Sequence, residues 1–405
     1  MRTPGLKPFP KPAGFWKWLI IDLFFVFVPA FSPAEPLHSP TWGFYLDLPE
    51  GYSYESGDGR DRFSFVSDNG GIIDIVVYGP GVFESPEALA GDIRNRLNSR
   101  GDISPYIYHD KKAAIAELHI SRPGGALSGW ALCTELASRG SGPPPLLAAL
   151  AYGPASRQDL PLFYLSALDS IVPSEAEKYS PGPITEFSYP RGEIVPAVLA
   201  NRDLKALIGE NDAEAAGALV DREFAVLSAY LNSPLWKEAW IRFYRVLFKD
   251  AYERLADLAF VFERDWYARY IQNPSSGGRN NDESEARAFA QDALKWVQGF
   301  VYERDATGSD FVDLVSAATQ GRGDCDSRAL LWALILARNN IPAAIMVSPE
   351  YGHAMGLAQV QGPGAVFELG GRNWIVAETT VDVDLGLIGE SVSDPRYWIG
   401  IDLVR

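Results

Sequence analysis

The sequence predicts an α+β protein with an antiparallel sheet and packed helices first, a helical segment next, and a second α+β domain at the end. Three observations predict this order. Residues 41–173 alternate apolar and polar stretches between turn residues. Apolar stripes at three- and four-residue spacing begin after residue 197. An entirely apolar run at residues 329–337 then precedes short strand-like segments.

The first domain is predicted from strand and helix signals within residues 41–173. Asp68-Asn69-Gly70-Gly71 marks a turn between two alternating segments. Ser85-Pro86 predicts a helix start, because Ser caps helices and Pro is tolerated at their first position. Asp159 is expected to cap a closing helix. The predicted strands are residues 43–48, 62–66, 72–78, 113–120, 130–136 and 146–152.

The layout of this domain, with the segments FYLDLPEGY, SPEALA and GWALCTEL, resembles the PsbP/Mog1-like α/β sandwich. The resemblance covers residues 41–173. It implies a binding or accessory role, and it brings no catalytic signature. Cys133 lies in a predicted strand, where a cysteine behaves as a small buried hydrophobe.

The N-terminal residues 1–32 have the order of a secretory signal. Basic residues come first, and the apolar run Trp18–Val28 follows, interrupted by Asp22. The run is shorter than the roughly 20 apolar residues of a spanning helix. We therefore expect an exported protein of the periplasm or cell envelope. The alternatives are an uncleaved membrane anchor and a cytoplasmic leader.

Composition excludes several classes of protein. The net charge of −16 argues against nucleic acid as a partner, because phosphate binding needs clustered basic residues. Two cysteines are too few for a disulfide-dense scaffold. The four histidines are scattered and no CxxC spacing occurs, so neither a metal nor a cofactor is expected.

Residues 174–196 are rich in Pro, Gly, Ser and charge, which predicts a linker or strap between domains. Residues 197–405 are expected to hold the helical segment and the second domain, whose core spans about 284–383. Ser233-Pro234 predicts a helix that reaches Ile271 with an aromatic core-facing stripe.

A candidate nucleophile begins the apolar run. The turn Gly321–Asp324 leads directly into it, so Cys325 is expected in the first turn of a buried helix. The helix dipole there favours a thiolate, whereas Asp324 and Asp326 oppose it, so a cationic partner is required. His353 opens a strand-like segment and Glu378 ends a second one. In an antiparallel pair they can lie side by side as base and orienting acid.

These residues resemble the transglutaminase-like, papain-related superfamily. The matching segments are Gly323-Asp324-Cys325, Ile341-Pro342-Ala343, His353-Ala354-Met355, and Trp374 with Glu378-Thr379-Thr380. The resemblance covers roughly residues 284–383 and implies a Cys-His-acid triad. Met355 departs from the family's aromatic residue, and Glu378 from its commoner Asp.

The oxyanion donor is open among three groups. The backbone N–H of Cys325 is a candidate by geometry. Gln320 is a second candidate, by analogy with the glutamine upstream of the papain-like cysteine. Tyr302 is a weaker third.

We expect acyl transfer on an amide or peptide bond of a protein, peptide or cell-wall substrate, through a thioester. Hydrolysis is preferred over crosslinking, because water is the default acceptor. One alternative is a catalytically idle domain that serves as a binding module. Another is a redox lock between Cys133 and Cys325. The sequence sets neither the substrate nor the oligomeric state.

Overall fold

The computed structural model describes residues 36–403 except residue 139, residues 273–281 and residues 304–310. It is a mixed α+β structure with several antiparallel sheets, which confirms the predicted fold class at that level. The signal or anchor expected at residues 1–32 lies outside the described residues. Among the described residues, no helix is both long and apolar enough to cross a membrane.

The first half contains ten strands and two helices among its described residues. The strands are β1 (Leu37–His38), β2 (Tyr45–Leu46), β3 (Tyr52–Gly57), β4 (Arg62–Ser67), β5 (Ile72–Tyr78), β6 (Ser99–Arg100), β7 (Ile103–Tyr108), β8 (Lys111–Ile120), β9 (Leu127–Glu135) and β10 (Leu146–Pro154). The helices are α1 (Pro86–Arg96) and α2 (Leu160–Asp169).

Strands β3 to β10 form one antiparallel sheet in the order β3-β4-β5-β10-β9-β8-β6, with β7 also paired to β8. Alternate residues face opposite helices, as the two-residue period of a strand requires. Cys133 packs in the cluster under α1, and its neighbour Leu132 packs in the cluster under α2. Ser85 caps α1 as predicted, through the N–H of Ala88 at 3.1 Å. Asp159 makes no capping hydrogen bond to α2, because its carboxylate binds Arg157 instead.

Residues 174–196, expected as a linker or strap, pack against the first sheet. They contain a 3-10 turn (Glu175–Glu177) and the helix α3 (Pro183–Ser188). The Tyr108 hydroxyl donates to the Pro181 carbonyl at 2.7 Å. The described residues on both sides of the segment belong to one compact unit.

The second half begins with helices and ends in a sheet. Its helices are α4 (Asp212–Ser228), α5 (Trp236–Arg254), α6 (Ala256–Gln272), α7 (Asp282–Gln298), α8 (Leu314–Gln320) and α9 (Cys325–Arg338). Its strands are β11 (Ile194–Val198), β12 (Lys205–Gly209), β13 (Val301–Tyr302), β14 (Arg322–Gly323), β15 (Ala343–Ser348), β16 (His353–Ala358), β17 (Val366–Leu369), β18 (Arg372–Ala377) and β19 (Ile399–Asp402). The last five form an antiparallel sheet in the order β17-β18-β16-β15-β19.

The single helix predicted from Ser233 to Ile271 is wrong, because the chain forms two helices there. Leu255 ends α5 with φ −96° and ψ 14°, and α6 begins at Ala256. Leu255 is itself fully buried, so the break keeps the apolar stripe of both helices in one core.

Helix α9 lies directly on β16, and a glycine makes the close approach feasible. A Cβ on Gly356 would lie 2.3 Å from Cε3 of Trp332, a fully buried side chain. The Trp332 indole is also fixed, since its Nε1 donates to the Ala290 carbonyl of α7 at 3.0 Å. The ring therefore has little freedom to move away.

We predict that Gly356→Ala destabilises the protein by about 1–3 kcal/mol, because the new methyl group overpacks the α9–β16 contact. Urea unfolding followed by tryptophan fluorescence measures the change. Gly217→Ala is the matched control, since a Cβ there meets nothing within 4 Å and alanine favours the surrounding helix α4. Equal stability of the two variants would contradict the prediction.

Candidate active site

Cys325 is the first residue of α9, and the turn before it is built to begin a helix. Asp324 is the N-cap, and its carboxylate accepts the backbone N–H of Ser327 at 2.9 Å. The unpaired N–H groups in the first turn of a helix favour negative charge near its start. Cys325 is only 1% exposed, so the sulfur lies beneath the surface.

His353 and Glu378 lie on neighbouring antiparallel strands. His353 begins β16, and Glu378 directly follows the last residue of β18, which pairs with β16. The Nε2 atom of His353 lies 2.8 Å from Oε2 of Glu378. The two side chains are 17% and 8% exposed, so this contact is largely shielded from water.

The carboxylate of Glu378 is held by further donors. Its Oε1 accepts both the backbone N–H of Thr380 at 2.8 Å and the Thr380 hydroxyl at 2.6 Å. Burial alone would raise the pKa of Glu378, but the hydrogen bond and charge of His353 and the two hydrogen bonds from Thr380 together lower it below the ordinary value. Glu378 is therefore a carboxylate that accepts hydrogen bonds.

This contact sets the tautomer of His353. A carboxylate accepts hydrogen bonds, so the proton of the neutral imidazole lies on Nε2 and the lone pair on Nδ1. The indole of Trp398 packs edge-on against the imidazole, with ring centroids 6.2 Å apart. Trp398 is itself fixed by donation from its Nε1 to the Val392 carbonyl at 2.8 Å. The ring of His353 is thus oriented by an acid and an aromatic side chain.

Arg328 connects the nucleophile turn to the acid. It is 1% exposed, and its guanidinium donates to the carbonyls of Gly323 at 3.0 Å and Thr379 at 3.4 Å. A third hydrogen bond, from Arg328 to the backbone carbonyl of Phe300 at 2.8 Å, fixes the residue that precedes β13. Gly323 lies two residues before Cys325, and Thr379 follows Glu378. One side chain therefore holds both segments together.

Gln298 also holds the segment that contains Glu378. Its Nε2, at the end of α7, donates to the backbone carbonyl of Glu378 at 2.8 Å and to that of Val383 at 2.9 Å. Neither Arg328 nor Gln298 was predicted from sequence. The available signal was Arg328 itself, since a charged residue inside an apolar helix needs buried partners.

The oxyanion candidates differ in their surroundings. Gln320 is exposed at the end of α8, and its Oε1 accepts a hydrogen bond from Arg322 Nε at 2.6 Å. Tyr302 is 50% exposed, and its ring lies 5.5 Å from the Arg328 guanidinium. The oxyanion role of Gln320 stays a prediction.

Both cysteines are free, so the structure contains no Cys133–Cys325 disulfide. Cys133 is fully buried, and burial raises its thiol pKa far above the ordinary value, which makes it unreactive. Within the described parts of the chain, no group of three His, Cys, Asp or Glu side chains is arranged to hold a metal ion.

Comparisons with known proteins do not assign the chain to a family. No family model and no curated protein sequence matches it. A crystal structure from Bacteroides thetaiotaomicron VPI-5482 is similar at 13% identity with a TM-score of 0.26, over 54% of this chain and 77% of that one. LpqN, involved in cell envelope biogenesis of Mycobacterium tuberculosis, is similar at 14% identity with a TM-score of 0.27, over 34% and 90% of the two chains. Similarity this low carries no conclusion about function.

Proposed function

We propose that the second half of this chain is a transglutaminase-like cysteine acyltransferase with Cys325 as nucleophile, His353 as base and Glu378 as the orienting acid. The observation that carries the proposal is the 2.8 Å contact between His353 Nε2 and Glu378 Oε2. His353 belongs to β16. The helix α9, which begins with Cys325, packs against that strand.

The reaction begins with transfer of the thiol proton to His353 Nδ1. The thiolate of Cys325 attacks an amide carbonyl carbon, and the backbone N–H at the head of α9 stabilises the resulting oxyanion. The C–N bond breaks as the imidazolium gives its proton to the leaving amine, which leaves a thioester. Water, deprotonated by His353, then releases the acid. A primary amine in place of water would give a new amide, and we favour water.

The first sheet supplies a binding or accessory unit in this proposal, in keeping with the resemblance of its sequence to the PsbP/Mog1-like layout. The substrate class is an amide of a protein, a peptide or the cell wall. The basic and apolar N-terminal sequence supports export to the periplasm or cell envelope, with or without a membrane anchor.

The proposal is tested by trapping the thioester with hydroxylamine, which accepts the acyl group whether water or an amine is the natural acceptor. The full chain is incubated with a mixture of peptides, and hydroxamates are detected by mass spectrometry. We expect hydroxamates from the unmodified protein and from Cys133→Ala, the matched control. Cys325→Ala and His353→Ala should form none.

A second candidate function is a binding module without turnover. The observation that favours it is the 1% exposure of Cys325, which leaves the sulfur little access to a carbonyl group. A peptide that binds the unmodified protein and Cys325→Ala equally well, with no hydroxamate formed by either, would favour this candidate over the enzyme.

A further inference from the structure

Asp326 lies between the nucleophile and a helix from another part of the fold. Its Oδ2 lies 3.9 Å from the Cys325 sulfur, which donates its S–H to the carboxylate. Its Oδ1 accepts the hydroxyl of Tyr244, from α5, at 2.7 Å. The two oxygens of one carboxylate therefore bind a thiol and a phenol.

The phenol is a reliable donor. Burial raises the pKa of Tyr244 well above its ordinary value, and the Asp326 charge and hydrogen bond raise it further. Tyr244 is 2% exposed, and its raised pKa keeps it protonated at neutral pH. It can only donate to Asp326, so it holds this carboxylate in one position.

Helix α5, which carries Tyr244, is itself anchored on both sides of that residue. The guanidinium of Arg242 donates to the Asp47 carbonyl at 2.8 Å. That of Arg245 binds the Asp47 carboxylate through Nη2 at 2.9 Å. Asp47 directly follows β2 of the first half. The position of Tyr244 is thus fixed by the contacts of its own helix with Asp47, which do not involve the nucleophile.

We propose that Asp326, held by Tyr244, is a positioning residue that keeps the Cys325 thiol protonated and directed at its carboxylate until substrate binds. This inference rests on the proposed function for the role of Cys325 as nucleophile. A negative charge at this distance opposes formation of the thiolate, so breaking the contact releases a more acidic thiol.

Other charged or titratable groups also face this thiol. They are Tyr244 from α5 and Arg328 from α9, each of which interacts electrostatically with Cys325. Asp324, the N-cap of α9, lies close to both of these side chains, and Tyr302 from β13 lies close to Arg328. Asp326→Asn leaves all of these groups unchanged and removes only the charge of Asp326. The asparagine keeps the shape of the side chain and an oxygen that can accept the Tyr244 hydroxyl.

The experiment is a pH titration of the thiolate by ultraviolet absorbance, with the matching Cys325→Ala protein subtracted in each case. The subtraction removes the signals of Cys133 and of the tyrosines. For Asp326→Asn we expect the midpoint to fall by about one to two pH units, because a like charge next to the sulfur is gone. At neutral pH, alkylation of Cys325 by iodoacetamide should become about tenfold faster.

Tyr244→Phe provides a second variant. In it the Asp326 carboxylate keeps its charge but loses the hydrogen bond that holds it in position. We expect a smaller fall in the same direction. Tyr252→Phe is the matched control, since it removes a hydroxyl from the same helix, and its midpoint should equal that of the unmodified protein.

The proposal would be overturned if the titration midpoint of the Cys325 thiolate in Asp326→Asn equalled that of the unmodified protein, or lay above it. The titration needs no substrate. A shifted midpoint without hydroxamate formation would therefore keep the positioning role and reject the proposed enzyme, whereas an unshifted midpoint with hydroxamate formation would do the reverse.

Discussion

Glu223→Gln should destabilise the protein by about 3–5 kcal/mol, because it removes the anion shared by the buried Arg242 and the partly buried Arg222. Glu223, in α4, is 2% exposed. Its Oε2 accepts from Arg242 at 2.9 Å and its Oε1 accepts from Arg222 at 2.9 Å. Burial alone would raise the pKa of Glu223, but the two guanidinium charges lower it below the ordinary value. The glutamine amide would direct N–H donors at a guanidinium that offers only donors.

The cost is large because the arginines have few other ways to balance their charge. Arg242 is 2% exposed, and its other partners are the neutral Ser166 hydroxyl, the Asp47 carbonyl and, at 4.0 Å, the Asp47 carboxylate, which is already paired with Arg245. Arg222 retains Asp169, the last residue of α2, to which it is also paired. Removing one member of a buried charge network leaves an uncompensated charge, which costs more than the pair contributes.

Urea unfolding monitored by tryptophan fluorescence measures this loss. Glu214→Gln is the matched control: it makes the same change in the same helix at an exposed position. It should change the stability by no more than about 0.5 kcal/mol. Similar small effects in both variants would show that the buried arginines find other compensation, and would contradict the prediction.

The network joins the two halves of the fold. Asp169 accepts the backbone N–H groups of Ile184 and Thr185, each at 2.8 Å, and so fixes α3 to α2. Arg222 and Glu223 continue the network through α4, and Arg242 carries it into α5. The stretch expected as a linker or strap therefore contributes to the same interior as the helices it connects. We expect the halves to unfold together in unmodified protein.

The parts of the structure that follow local rules could be predicted from sequence. The start of α9 is one of them, since Asp324 caps the helix and an apolar run follows it. His353 and Glu378 are another. Each stands at the end of a strand-like segment, and antiparallel pairing brings such ends together. The structure places these two side chains in direct contact.

The remaining features depend on partners distant in the sequence. Arg242 binds Glu223 on another helix and the carbonyl of Asp47, 195 residues away. No local pattern selects those partners from the other acidic side chains. The break at Leu255 has neither Pro nor Gly to mark it, so the continuous apolar stripe predicted one helix where two form. Tyr244 is part of that stripe. From the sequence alone, a tyrosine that binds Asp326 cannot be distinguished from one that only packs in the core.

The contribution of one buried acid, Glu50, to stability should fall as the pH rises from about 4.5 to 7. Glu50 is 6% exposed, and neither of its carboxylate oxygens has a hydrogen-bond partner. Burial raises its pKa from 4.5 to about 7, an effect that Asp47 adds to and that the charges of Arg242 and Arg245 only partly offset. In the folded protein the group therefore keeps its proton at a pH where the unfolded chain has lost it.

The sign follows from proton binding. Between the two pKa values the folded state binds more protons than the unfolded state, so raising the pH favours unfolding. A shift of this size corresponds to about 3 kcal/mol, lost progressively over that range and complete above about pH 7. Glu50→Gln, which stays neutral, should match the unmodified protein near pH 4.5 and exceed its stability by about 3 kcal/mol near pH 8.

The location of Glu50 makes this effect more than a local one. Its backbone carbonyl accepts the Tyr230 hydroxyl at 2.8 Å, which ties the turn before β3 to the segment between α4 and α5. Ionisation of Glu50 would place a second negative charge beside Asp47, the residue on which α5 is anchored. Urea unfolding of the unmodified protein, Glu50→Gln and the exposed control Glu55→Gln at several pH values separates the contributions. Parallel pH profiles for all three proteins would mean that Glu50 gains a partner on ionising, and that the contact between the first sheet and α5 does not respond to pH through this residue.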